Sequence, residues 1–266
     1  MVMPVYYIPW RRLTVSIVIL FLFFAGIFAT LGDFLSLTWP AFSGERLVPI
    51  YAVDTPEKKI SISFDAAWGS ERTPQLLAIL EEYEIKTTFF LVKFWIEKYP
   101  EVTKRIAREG HEIGNHSATH PNMDTLTRGE IRRELEETNS LIEELTGQRP
   151  MVFRPPFGAY NNTLVEVVEE LDMKAIQWSI DSLDWQDLSA QEITERVLKQ
   201  VAPGAIVLFH NNAENTPAAL VPILDELLAD GYSIVPVSEL IHWDDYYIDP
   251  HTGIQHFQTP ADKESN

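Results

Sequence analysis

From residue 58 to residue 241, short apolar runs alternate with stretches whose apolar residues recur every three or four positions. The runs fall at 60–64, 87–91, 112–115, 151–154, 175–180, 205–210 and 233–237. Each has the length of a strand, and the stretches between them have the length of a crossover helix. Parallel strands cannot be joined by a tight turn, so this alternation predicts an α/β fold with a parallel sheet, open or closed into a barrel. The helical pattern is clearest at 128–146, where Ile131, Leu135, Ile142 and Leu145 share a face. Thr127 with Glu130 reads as a capping box at its start, Gly147 ends it, and Pro150 stops it from resuming. Ser189 with Glu192 repeats the capping signature. No internal repeat or low-complexity segment interrupts the pattern.

At 266 residues the chain can hold one large domain or two small ones. With no cysteine, disulfides and thiol chemistry are excluded. A formal net charge of −18 repels phosphate backbones and argues against nucleic-acid partners. The sharpest break in composition is at the N-terminus. Residues 13–32 carry no charge and follow Arg11 and Arg12. A stretch of about 20 apolar residues spans a bilayer as one helix. The arginines predict a cytoplasmic N-terminus, with everything after Asp33 outside. A cleaved signal peptide, ending at the small residues around Thr30 to Gly32, is the alternative. The predicted order is a cytoplasmic segment 1–12, a single-pass membrane anchor 13–32, a proline-punctuated linker 33–57, a catalytic-type domain 58–242 and a loose polar tail 243–266.

In such folds functional residues gather where strands end. Asp65 follows an apolar run in SFDAAWG; His116 and His120 stand in GNHSATHP; Arg154 in FRPPFG; Asp181 and Asp184 in DSLDW; His210 ends AIVLFH. Each alone has a bland explanation. Asp65 could cap a helix, and an isolated HxxxH is a weak metal signal. Arg154 could be a buried partner for Asp65 or Asp181, DSLDW a turn with a packed Trp185, and His210 a core residue. Five strand ends carrying complementary groups in one parallel architecture are a stronger signal than any one of them.

In this order the motifs resemble the polysaccharide deacetylases of the NodB-homology type, carbohydrate esterase family 4, and within them a sporulation-associated branch that carries SFDAAWG. The resemblance spans residues 58–241. It implies a distorted (β/α) barrel of seven or eight strands. It places Asp65 as catalytic base, Arg154 as its orienting partner, and His116 and His120 as ligands of a divalent metal, zinc by expectation. His210 becomes the acid, held protonated by an acidic neighbour such as Asp181. Phe157 offers a backbone N–H to the oxyanion, while Trp185 and Leu208 wall an acetyl pocket. The implied reaction removes N-acetyl groups from peptidoglycan or a related cell-wall polysaccharide.

The chain departs from the family at one decisive place. An aspartate that supplies the third metal ligand should follow the base, and Ala66 stands there. Hydrolytic zinc sites normally use three protein ligands. The residues before Gly69 also lengthen the loop. Three outcomes are open: another group completes the site, Asp65 becomes a ligand, or no stable metal binds. Hydrolysis and glycan binding without turnover are therefore the two functional expectations.

Overall fold

A computed structural model describes residues 46–258. The expected segments 1–12 and 13–32, and the ends of the linker and tail, lie outside the described residues. Among the described residues no helix is long and apolar enough to cross a membrane.

The strands are β1 (Ala52–Val53), β2 (Lys59–Ala66), β3 (Thr88–Leu91), β4 (Glu112–Asn115), β5 (Val152–Phe153), β6 (Lys174–Ala175), β7 (Ile180–Asp181), β8 (Ile206–His210), β9 (Ser233–Ile234), β10 (Tyr246–Ile248) and β11 (Ile254–Phe257). Seven of them form a curled parallel sheet in the order β6-β5-β4-β3-β2-β8-β7, with β9 pairing on β2. This is the half-barrel form of the expected barrel.

Side chains alternate across a strand, so each strand of this sheet sorts its residues into two sets. On β2, Ile60, Ile62, Phe64 and Ala66 join Phe89, Leu91, Val207 and Phe209 in the cluster that packs against the helices. The intervening Ser61, Ser63 and Asp65 belong to the other, concave face. There Phe90, Val152 and Ile206 pack with Ile50 and Val237. Curvature crowds that face: a Cβ on Gly114 would lie 2.4 Å from the Phe90 ring. The helix Arg128–Thr146 starts on the Thr127/Glu130 capping box and ends at Gly147, whose φ is 72°. The Ser189/Glu192 box likewise opens the helix Ala190–Leu198.

Two expectations need correction. Residues 175–180 are not one strand but two short ones at opposite edges of the sheet, β6 on β5 and β7 on β8. Between them the chain crosses the gap left by the curl. Ile176 N donates to Phe153 O, Gln177 N to Ile50 O and Ser179 N to Ile206 O, at 2.8, 2.7 and 3.0 Å. A straight strand cannot hydrogen-bond to two edges that face each other across an opening. Nor is the described stretch 246–257 a loose tail, or all of 33–57 a spacer. β1 pairs with β11, and β11 with β10, in a separate three-stranded sheet. Buried Gln255 locks it, accepting from His242 N at 2.8 Å and donating to His242 O at 2.7 Å.

Candidate active site

The parallel register brings the strand-end residues together. Asp65 on β2 is paired at the Cα level with His210 on β8 and with Phe90 on β3. Neighbouring strands lie about 4.8 Å apart, so Asp65 and His210 can serve one small group. Asp65, His116, His120, Phe157, Asp181, Trp185, Leu208 and His210 all line one cavity of about 600 Å³. Arg154 stands behind it, with no exposed surface.

Arg154 Nη1 donates to Asp65 Oδ1 at 2.8 Å, and Nη2 donates to the Gln177 carbonyl at 3.1 Å. Its guanidinium lies 4.1 Å from the centre of the Phe90 ring. Burial alone would raise the Asp65 carboxyl, but the charge and hydrogen bond of Arg154, with the charge of His210 adding to them, outweigh it and hold it below the usual carboxylate range. Asp65 is therefore an anion at neutral pH, with its second oxygen facing His116 Nε2 at 3.5 Å.

The two histidines sit on a tightly held loop after β4. Glu134, from the helix Arg128–Thr146, accepts from the backbone N–H groups of Ala118 and Thr119 at 2.8 Å each, and from the Thr119 hydroxyl at 2.8 Å. Asn115 Oδ1 accepts from Ser117 N at 2.7 Å. Ser117 and His120 take φ of 73° and 57°, a region that non-glycine residues enter only when their surroundings impose it. His116 Nδ1 lies 2.7 Å from the Arg154 carbonyl oxygen. A carbonyl only accepts, so Nδ1 carries the proton and Nε2 presents its lone pair to the cavity. Burial pulls His116 down and His120 down to about 4, so both are neutral and able to ligate.

Ala66 does not complete that set. Its methyl is fully buried, on the helix-facing side of β2 opposite Asp65. Among the described residues no group of three His, Cys, Asp or Glu is placed to hold a metal ion. The residues present do not fit a three-ligand hydrolytic centre.

On the other side of the cavity the wiring is complete, and it corrects one expectation. The partner of His210 is Asp184, not Asp181. His210 Nδ1 lies 2.7 Å from Asp184 Oδ1, while Asp184 Oδ2 accepts from His210 N at 2.8 Å and from the Thr216 hydroxyl at 2.6 Å. Burial would lower His210, but the Asp184 hydrogen bond and charge, with Asp65 and Asp181 adding to the field, raise it above 6.5. Asp181 turns its Oδ1 to the Leu183 N–H at 2.9 Å. Both aspartates stand in DSLDW; which one folds back on His210 depends on Leu183, whose φ of 56° turns the chain between them.

The sequence reading also left Trp68 without a role. The lengthened loop is pinned from three sides. Gly69 O accepts from Trp95 Nε1 at 2.5 Å and from Asn211 Nδ2 at 3.0 Å, and Arg72 N donates to Asn212 Oδ1 at 3.1 Å. The Trp68 ring is 66% exposed at the mouth, with its centre 4.9 Å from His120; Phe157 sits 4.6 Å away on the same imidazole. Trp178, Asn211 and Asn212 also line the cavity. A tryptophan beside an altered strand-end motif is the signal that could have pointed there.

A curled α/β sheet with a carboxylate–arginine pair and a histidine–aspartate pair meeting over one cavity defines an acid–base pocket. The family model described as polysaccharide deacetylase matches residues 52–176. A peptidoglycan-N-acetylglucosamine deacetylase of Bacillus cereus is 35% identical over 193 residues, covering 72% of this chain and 70% of the relative. YlxY of Bacillus subtilis is 34% identical over 193 residues, covering 73% of this chain but 60% of its own length. Among solved structures, the CE4 family pseudoenzyme BA3943 of Bacillus anthracis superimposes with a TM-score of 0.71 at 34% identity, covering 79% of this chain and 73% of that one. A mutant of it, described as having restored enzymatic activity, matches with the same TM-score of 0.71 at 37% identity, covering 74% of this chain and 71% of that one. This chain belongs to the polysaccharide deacetylase family.

Proposed function

We propose that the protein is a hydrolase of reduced power that removes N-acetyl groups from peptidoglycan or a related amino-sugar polymer. The observation that carries this reading is the convergence of two intact charge pairs, Asp65–Arg154 and His210–Asp184, on one cavity. A scaffold that only held glycan would not need a buried ion pair at this point, since such pairs cost desolvation.

Removing an acetyl group adds water to the carbonyl carbon and breaks the C–N bond, and the departing nitrogen must gain a proton. Asp65, ionised and oriented by Arg154, accepts the proton of the water. His210, kept protonated by Asp184, gives one to the nitrogen. The Phe157 backbone N–H is the oxyanion donor in this reading, and Leu208 with Trp185 receives the acetyl methyl. The donor set lacks the residue that would complete a metal site, so the reaction lacks a full Lewis acid and low turnover is expected.

Ala66 and the resemblance to a pseudoenzyme favour a second reading, in which the pocket grips glycan without hydrolysis. Acetate release from chitotetraose separates the two. Release that disappears in His210→Ala supports the enzyme; glycan binding with no acetate from wild type supports the binder. Anchoring in the cell membrane with the domain outside rests on the uncharged run 13–32, and a role in sporulation on the SFDAAWG resemblance. Protease added to wall-stripped cells should degrade the domain; full protection would overturn that topology.

A further inference from the structure

We propose that a second cavity, bounded by Arg46, Tyr51, Asp124, Tyr160 and Asn161, is a subsite for another neutral sugar unit of the same glycan chain; this rests on the glycan reading above. It measures about 380 Å³ and adjoins the active-site pocket. Phe157 lines the first cavity and Gly158, the next residue, lines the second, so the two share the Pro156–Gly158 turn as a wall. Consecutive Cα atoms are about 3.8 Å apart, so on this proposal a polymer need cross only this turn to reach from one cavity to the other.

The lining has the chemistry of polyol recognition. Arg46 Nη2 donates to the Tyr160 hydroxyl at 3.2 Å, and the Tyr51 and Tyr160 hydroxyls are hydrogen-bonded to each other. Burial and the neighbouring phenol push Tyr51 upward, so it stays protonated and able to donate. The frame is held by groups that are already satisfied. Leu47 N donates to Asn162 Oδ1 at 3.1 Å, while Asn161 accepts from Leu164 N at 2.9 Å and donates to Asp124 O at 2.9 Å. The Tyr160 ring packs on the cluster around Met123 and Leu164. One cation and one acid balance in charge, which suits hydroxyl groups on a neutral ring better than a phosphate or a cationic peptide.

Calorimetric binding of chitobiose and chitotetraose to the full-length protein tests this. Wild type should bind the tetrasaccharide more tightly. Arg46→Ala combined with Tyr160→Phe should weaken the tetrasaccharide about 5-fold or more, the size of a lost hydrogen bond, and leave the disaccharide unchanged. Tyr160→Phe alone keeps the ring packing, so it carries the test if the double variant does not fold. Equal wild-type affinity for both lengths, no change in the variants, or an equal loss on both lengths would overturn the subsite. Trp185→Ala distinguishes the two readings. Loss on both lengths keeps the active-site assignment, whereas no loss while wild type still prefers the longer glycan removes that assignment and leaves the subsite standing.

Discussion

The two walls of the active-site cavity differ in completeness. On the β8 wall the acid pair is fully braced: His210 Nδ1 bonds to Asp184, and Asp184 is held by a backbone N–H and the Thr216 hydroxyl. On the β2 and β4 wall the base is paired and both histidines are neutral and held, yet the place of a third ligand is a buried methyl. The acid pair and the metal-holding part of the site are built by different strands, so a substitution at 66 can disable the second and leave the first intact.

The largest expected effect sharpens the view of the base. Arg154→Ala leaves the Asp65 carboxylate buried with its main partner gone, which should cost about 3–5 kcal/mol in urea unfolding at neutral pH. Adding Asp65→Ala should recover much of that loss. A double variant as unstable as the single would mean that Arg154 acts through packing on Phe90 instead.

The next prediction attacks the incomplete wall. Ala66→Asp puts a carboxylate where the methyl is packed among Phe64 and Leu91, so without metal it should lower the unfolding temperature. If the strand end can turn that carboxylate toward His116 and His120, zinc at about 100 times its dissociation constant should restore about 2.7 kcal/mol. Wild type should show little zinc dependence. Tight stoichiometric zinc binding by wild type would erase the contrast between the walls.

Asp184→Asn tests the complete wall. Hydrogen bonds to charged groups are worth about 1.5–3 kcal/mol, and a loss of that order is expected at pH 6. His210 is raised in the folded state, so its contribution is fully present below 6.5 and is lost as pH rises through the folded value. The stability gap between wild type and Asp184→Asn should therefore narrow above pH 6.5, and the His210 imidazole resonances should titrate at lower pH in the variant. Asp65 runs the other way. Its carboxyl is lowered, so its stabilisation is present above the ordinary value of 3.8 and disappears as pH falls through the folded value.

The smallest effect on stability is expected from Trp68→Ala. An exposed ring at the cavity mouth should change unfolding by about 0.5 kcal/mol or less. Its effect should appear in weaker glycan affinity, because a sugar face can stack on that ring. Unchanged affinity would make Trp68 a cover for His120 and nothing more.

Much of this arrangement was legible in the residues. Strand–helix alternation, the capping boxes at Thr127 and Ser189, the strand-end positions of Asp65, His116, Arg154 and His210, and the alanine at 66 are local signals. They depend on period-2 and period-3.6 patterning and on groups within four residues of one another, which sequence records directly. Tertiary structure alone decided the rest. It chose Asp184 over Asp181 because a turn at Leu183, not the motif, aims the carboxylate. It split 175–180 between two sheet edges because a curled sheet leaves a gap that one strand must bridge. It drew 246–257 back onto Ala52 and Val53, and set Trp68 against His120. Each of these joins groups far apart in the chain, where pairing is chosen by the shape of the curled sheet and the need to satisfy buried polar groups.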